Sequence, residues 1–191
     1  MGGKPASQLP NGATAPDGLT SAIVDFQSLY KQEFGYAWRT LRRLGVREND
    51  LPDLAHDLFI VVFRNLSDYD SSRPVRPWLF GIAFRVVSDY RRSARFVRET
   101  IGDGPEVVDR APPLDDQIAA RQAREAVMRV LDALDLDRRA VLVMHDIDGH
   151  PVPEIAAALA IPVATAYSRL RLAREDLGAA IKRLRAKEGR A

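Results

Sequence analysis

The chain has 191 residues, 46% of them apolar and 28% charged, with a formal net charge of +2 at neutral pH. That balance suits a globular protein and is too apolar for a wholly disordered one. There is no cysteine, which excludes disulfides, thiol catalysis and thiolate metal sites, and no apolar run is long enough to cross a bilayer. The opening stretch lacks the compact apolar segment of a secretory signal, so a cytoplasmic protein without membrane insertion is expected.

Residues 1–21 are rich in Gly, Pro, Ala and Ser and read as a disordered tail. From Asp25 the pattern changes. Phe26, Tyr30, Phe34, Ala37, Leu41 and Leu44 recur at spacings of three and four, predicting a helix that ends near Gly45. Asn49 and Asp50 offer N-caps and Pro52 suits a first turn, so a second helix follows with Leu54, Leu58, Val61 and Val62 inward. Ser67 to Pro77 carries Asp, Ser, Arg and two prolines and reads as a loop. A third helix is expected from Pro77, burying Leu79, Ile82, Ala83, Val86 and Tyr90 and running into a strongly basic stretch that reaches Arg98.

Residues 99–118 break the period with glycines and prolines and read as a flexible linker between two units, 22–98 and 119–185. In the second unit Val127, Val130, Leu131 and Leu134 share a face, and a further helix covers Ala140 to Ile147. Gly149, Pro151 and Pro153 then punctuate. Ile155, Ala156 and Leu159 define a short helix, Ile161 and Pro162 a turn, and Ala166, Leu170, Ala173 and Leu177 the buried stripe of a last helix, with 186–191 as a tail. No segment has the two-residue period of a strand. The fold class is therefore all-α, with two small helical domains.

Three surfaces carry chemistry. Val152 to Leu177 has the layout of a helix-turn-helix, whose second helix enters the DNA major groove. Its stripe leaves Ala164, Thr165, Tyr167, Ser168, Arg171 and Arg174 toward solvent, able to reach base edges and phosphates, with Arg169, Lys182, Arg183 and Arg185 extending the positive surface. On the third helix, Phe84, Ser88, Arg91 and Arg95 share a face, and Arg85 and Arg92 add charge. A ring interleaved with guanidinium groups suits single-stranded nucleic acid; a solvated charged face is the bland alternative. Trp78 fits either a core position or a base-stacking platform. The loop before it offers Tyr69 and Arg73 to a splayed base. On the second helix, Asp53, His56, Asp57, Ile60 and Arg64 line up outward as a protein-docking strip, or as an ordinary solvated face.

The run Asp53 to Phe59, the Arg76-Pro-Trp-Leu79 start, Ile82-Ala83 and Asp89-Tyr-Arg-Arg92 resemble region two of the sigma-70 family, in its extracytoplasmic-function subgroup. Leu134, Arg138, Glu154-Ile-Ala156, Ile161-Pro-Val163, Thr165, Ser168-Arg-Leu170, Ala173-Arg174 and Leu177 resemble its region four. The resemblance implies a transcription-initiation factor whose partners are core RNA polymerase and promoter DNA, and it admits an anti-sigma factor. It assigns Asp53, His56, Asp57, Phe59 and Ile60 to the polymerase-facing segment. It sets Arg76, Trp78, Asp89 and Arg92 in the segment that recognises and opens the minus 10 element, to which the reading of the residues adds Tyr69, Arg73, Arg85, Arg91 and Arg95. Ala164, Thr165, Tyr167, Ser168, Arg171 and Arg174 fall on the helix that reads the minus 35 element. Departures from the family pattern include His56 for Gln, Phe84-Arg85 for Arg-Asn, Asp135 for Pro, Pro151 for a Ser N-cap, Tyr167 for Lys and Ala160 for a turn Gly.

Two rivals stand beside this reading. His56-Asp57 and His145-Asp146 are dipeptides of the kind found in metal phosphohydrolases, but three histidines, His150 being the third, are few for a converging ligand set. No enzyme activity, cofactor or metal is expected. A stand-alone helix-turn-helix regulator with an N-terminal sensor or dimerisation domain would account for the second unit, though not for a basic, aromatic-bearing helix in the first.

Overall fold

The structure is a computed structural model that describes residues 17–101 and 118–188, with side chains over 25–93, 125–184 and 186. Helix α1 spans Asp17–Arg43, α2 Leu51–Arg64 and α3 Val75–Ile101; α4 spans Ile118–Leu131, α5 Leu136–Leu142, α6 Val152–Ala158 and α7 Val163–Glu188. No strand occurs among the described residues.

Boundaries differ from expectation in instructive ways. Helix α1 starts at Asp17, so residues 17–21 are helical rather than tail, because a helix nucleated on the packed stripe from Phe26 extends at little cost. Helix α3 starts at Val75, two residues before Pro77. The proline sits in the first turn, where its missing N–H would have had no helical partner. The same helix runs on to Ile101 and α4 begins at Ile118, trimming the expected linker at both ends. Helix α7 likewise continues through residues 186–188. Residues 1–16, 102–117 and 189–191 lie outside the described part of the chain.

In the first unit Leu41, Leu44, Leu51, Leu58, Val62, Leu79 and Ile82 are fully buried and hold α1, α2 and α3 together. Asp50 precedes α2 but its carboxylate caps nothing; it accepts hydrogen bonds from Arg47 and from the Tyr90 hydroxyl. In the second unit Asp135 caps α5, accepting from the Arg138 N–H at 2.9 Å, so this aspartate supplies the helix start. A π-turn over Val143–Ile147 follows and ends at Asp148. Val127, expected to face inward, is 52% exposed, the α4 stripe being narrower than its spacing suggested.

The two units do more than share a tether. Their buried residues form one continuous apolar cluster that runs from Tyr36 and Leu41 through Phe80 and Val87 to Met144, Ile155 and Ala173. Helix α6 lies directly on α3, where a Cβ added to Gly81 would overlap the Ala158 carbonyl oxygen. Arg139 is 1% exposed; its Nε donates to the carbonyl of Arg43 at the end of α1, and its Nη1 donates to Asp132 at 2.7 Å. Asp148 accepts from the Tyr36 hydroxyl at 2.8 Å and from Arg43 Nη1 at 3.0 Å. Burial pushes the Arg139 guanidinium down and, with Asp148 beside it, the Tyr36 phenol up.

Replacing Arg139 by Met roughly keeps the length of the side chain and removes the Nε donor to the Arg43 carbonyl. Leaving a buried acceptor unmet costs about 1–3 kcal/mol. Urea unfolding of Arg139→Met should therefore show a lower midpoint than the parent, and an unchanged midpoint would contradict this account of the buried arginine.

Candidate polymerase and nucleic-acid interfaces

On α2 the inward positions are taken by Leu54, Ala55, Leu58, Phe59 and Val62, which turns Asp53, His56 and Asp57 outward and leaves Ile60 at the margin. Asp53, His56 and Asp57 are exposed, and no described residue pairs with them. Phe59 is a correction. It is buried against Tyr30 and Phe34, with ring centroids 4.6 and 5.9 Å away, so it supports the strip from beneath and presents no surface of its own. Tyr30, expected in the core, is instead 40% exposed, and Phe63 packs on Phe26 at 5.1 Å while remaining open to solvent. An aromatic shelf therefore adjoins the acidic strip.

The loop before α3 is ordered by its own side chains. Asp70 accepts from the backbone N–H of Ser72 at 3.0 Å and its hydroxyl at 2.6 Å, which holds the carboxyl below the usual range, and Arg73 pairs with it at 3.3 Å. The Tyr69 hydroxyl donates to the Arg73 carbonyl, and the Tyr69 ring lies 4.8 Å from the Trp78 ring. Trp78 is only half-buried. Arg76 reaches back to α1, pairing with Glu33 at 3.0 Å and standing 5.1 Å over the Tyr36 ring.

The basic face of α3 is rotated from expectation. Phe80 and Val87 are buried as well as Leu79, Ile82 and Ala83, so the inward stripe is wider than the sequence reading allowed. Phe84 consequently rests against the core, and the Ser88 hydroxyl donates to the Phe84 carbonyl at 2.7 Å. Arg91 is half-buried and donates to the Leu44 carbonyl at 2.7 Å, with burial pulling its guanidinium down. It closes the fold and cannot simultaneously hold a DNA backbone. The outward cations are Arg85 and Arg92, the latter 3.4 Å from Asp89. The side chain of Arg95 lies outside the described residues.

Helices α6 and α7 form the helix-turn-helix. Pro151 precedes α6 without a side-chain acceptor, and Ala160 in the turn has φ 53°, a left-handed position usually given to glycine. Along α7, Ala166, Leu170 and Ala173 face the core while Ala164, Tyr167, Ser168, Arg171 and Arg174 are exposed and Thr165 is half-buried. Tyr167 is 56% exposed. Arg171 pairs with Glu175 at 2.6 Å. Arg174 is gripped at two points by Asp146, Nε at 3.1 Å and Nη2 at 2.6 Å, with His145 Nδ1 2.7 Å from the same carboxylate. Arg169 does not extend the positive surface; it is tied to Asp137 at 2.7 Å. Lys182 and Arg183 are exposed farther along, while the side chain of Arg185 lies outside the described residues.

Neither His-Asp dipeptide is part of a convergent ligand set. Among the described residues no three His, Asp or Glu side chains meet, His56-Asp57 lies open on α2, and Asp146 is engaged by Arg174. Two residues with structural weight escaped the sequence reading. Arg139 falls three after Leu136 and four before Val143, on the inward stripe of α5, and that spacing was the available signal. Asp148 gave none, since its partners Tyr36 and Arg43 are more than a hundred residues away.

The hydrogen bonds from Arg174, the largest influence, hold the Asp146 carboxyl below its ordinary range, against the opposing effect of partial burial. A depressed folded pKa gives stability that is present above the unfolded value and is lost as pH falls through the folded one, hence below about pH 4. Asp146→Asn should flatten that acid-side dependence in thermal unfolding. A parent and variant with identical acid limbs would contradict the pairing.

Comparison with known proteins finds one family over both units. Sigma-70 region 2 matches residues 29–97, and Sigma-70 region 4 matches residues 124–177. The RNA polymerase sigma factor CnrH of Cupriavidus metallidurans is 34% identical over 146 residues, covering 72% of this chain and 76% of its own. The ECF RNA polymerase sigma factor SigE of Mycolicibacterium smegmatis is 31% identical over 178 residues, covering 90% of this chain and 68% of its own. The structure of CnrH in complex with the cytosolic domain of CnrY superposes with a TM-score of 0.61 at 28% identity, covering 86% of this chain and 94% of that one. Carrying both regions in order on an all-helical fold, the chain belongs to the sigma-70 family of RNA polymerase sigma factors, in the extracytoplasmic-function subgroup.

Proposed function

We propose that the outer face of α2 docks core RNA polymerase, that the loop before α3 with Tyr69, Trp78, Arg85 and Arg92 captures the minus 10 element, and that α7 reads the minus 35 element. The observation that carries the docking assignment is the unpartnered acidic strip: Asp53 and Asp57 are solvent-facing carboxylates that make no ion pair or hydrogen bond with any described residue. Such a strip, with an aromatic shelf beside it, suits a basic and apolar partner surface.

The half-buried Tyr69–Trp78 pair supplies a stacking platform at the start of α3, and base stacking on such rings is worth about 1–3 kcal/mol per base. Arg76 contributes by fixing α3 on α1, and Arg91 by holding the end of α1, so both position the minus 10 surface from behind. On α7, Tyr167, Ser168 and Arg171 are the outward groups free of the Asp146 clamp. The protein acts as an initiation factor without enzyme activity of its own, and action on polymerase and promoter puts it in the cytoplasm. The domain limits proposed are 22–98 and 119–185, with the helix ends at 17–21, 99–101, 118 and 186–188 extending beyond them. A regulatory partner of the kind CnrY represents for CnrH is part of the proposal.

Reversing both charges with Asp53→Arg and Asp57→Arg should weaken core polymerase binding by about 1–2 kcal/mol or more, as expected for the centre of an interface, with an unchanged helical spectrum. Undiminished affinity in a titration would remove the docking assignment. Arg171→Ala should cost about 1–3 kcal/mol in promoter affinity; a loss confined to one base position marks base readout, and a uniform loss marks a phosphate contact. An unaltered promoter profile and affinity would place Arg171 outside the interface.

A further inference from the structure

Two large apolar side chains at the start of α7 face solvent although the core has no need of them. Val163 is 43% exposed and Tyr167 56%, one helical turn apart, and Ala164 is exposed beside them. The buried stripe is already filled by Ala166, Leu170 and Ala173. Next to the Tyr167 ring opens a hollow of about 520 Å³, with Val152 and Leu170 in its wall.

Polar groups are spread unevenly along the same helix. No cation faces outward before Arg171, because Arg169, which precedes it, is tied to Asp137 at 2.7 Å. The outward groups of the first two turns are therefore Val163, Ala164, Tyr167 and the Ser168 hydroxyl. The exposed cations come later, from Arg171 through Arg174 to Lys182 and Arg183, which suits them to phosphates rather than base edges.

A helix that enters the major groove presents its N-terminal residues to the base edges. Each base there asks for a different chemistry. Guanine is read by Arg or Lys, adenine by Asn or Gln, cytosine by a carboxylate, and the 5-methyl group of thymine by apolar contact. The base-facing end of α7 has no outward cation, and the helix contains no Asn or Gln. The two carboxylates near this face, Asp146 and Glu175, are engaged by Arg174 and Arg171 at 2.6 Å each. Apolar contact is the chemistry that remains.

We propose that Val163 and Tyr167 select thymine, through its 5-methyl group, in the minus 35 element. The inference rests on the proposed reading of α7 as the helix that meets that element, and it adds the base chemistry. The small side chain of Ala164 lets the helix approach closely, and the Tyr167 ring and its hollow receive the methyl. The ring, not the hydroxyl, makes this contact.

The test uses holoenzyme assembled from core polymerase and the full chain, on a duplex promoter selected from a randomised library. Each thymine of the upstream element is replaced singly by deoxyuridine, which deletes the methyl group and leaves base pairing unchanged. At one or two positions affinity should fall about fourfold, the equilibrium value of one buried methyl-sized group. Tyr167→Ala or Val163→Ala should erase that penalty, and Tyr167→Phe should keep it. Both side chains are exposed, so the helical spectrum of each variant should match the parent. A penalty lost in Tyr167→Phe would overturn the apolar contact, and one that survives both alanine variants would overturn the choice of residues. An upstream element without thymine, or one with no deoxyuridine penalty while Arg171→Ala still weakens its recognition, would overturn this inference and leave the reading of α7 standing. Indifference to deoxyuridine, Tyr167→Ala and Arg171→Ala together would overturn both.

Discussion

Much of this structure depends on how the end of α1 is satisfied. The last carbonyls of a helix have no partner within it, and here two of them are met by arginines from distant parts of the chain: Arg91 of α3 donates to the Leu44 carbonyl and Arg139 of α5 to that of Arg43. Gly45 makes room for both. Its φ of 91° turns the chain away from the helix, and a Cβ there would overlap the Arg91 guanidinium and stand 3.0 Å from Arg139 Nη1. Two like charges so close together would repel, but the helix end is partially negative and Asp132 takes one hydrogen bond from Arg139. One chain reversal thus fixes α3 within the first unit and α5 of the second unit on the first.

That junction separates what was legible in the sequence from what was not. Helix periodicity is a local signal, and it revealed the stripes of α1, α2, α6 and α7, the turn between the last two, and hence the outward set on α7. It misjudged α3 because Phe80 and Val87 widen the buried stripe beyond the positions counted, which turns Phe84 and Ser88 away from solvent and commits Arg91 to the α1 carbonyl. Arginine reads as surface charge in sequence. Here Arg91, Arg139 and Arg169 are each consumed by an internal partner, and only the tertiary arrangement shows which. Phe59 failed in the opposite sense: the family segment that contains it faces outward, while its own position on α2 faces the α1 rings. The packing of the units on each other was invisible because Asp148 and Gly81 act through contacts remote in sequence.

Electrostatics on α7 show a related pattern. Arg174 is held at two points by Asp146 and Arg171 by Glu175, so the outward cations of α7 are largely neutralised within the protein. Under the proposed reading of α7, phosphate would compete with these carboxylates, which would lower non-specific attraction to duplex and leave more of the discrimination to Tyr167, Ser168 and an Arg171 drawn from an exposed and therefore weak pair. Arg174, clamped with Asp146 and His145 beside it, is better suited to holding one orientation than to searching for partners.

The account as a whole requires that polymerase and promoter be engaged by one molecule. The most direct measurement is transcription by purified core polymerase on a randomised promoter library, with and without this chain, followed by sequencing of the transcript ends. The account predicts chain-dependent transcripts whose start sites share two upstream elements at a fixed spacing. Duplex DNA binding by the chain alone, with no chain-dependent transcript from any template, would contradict it.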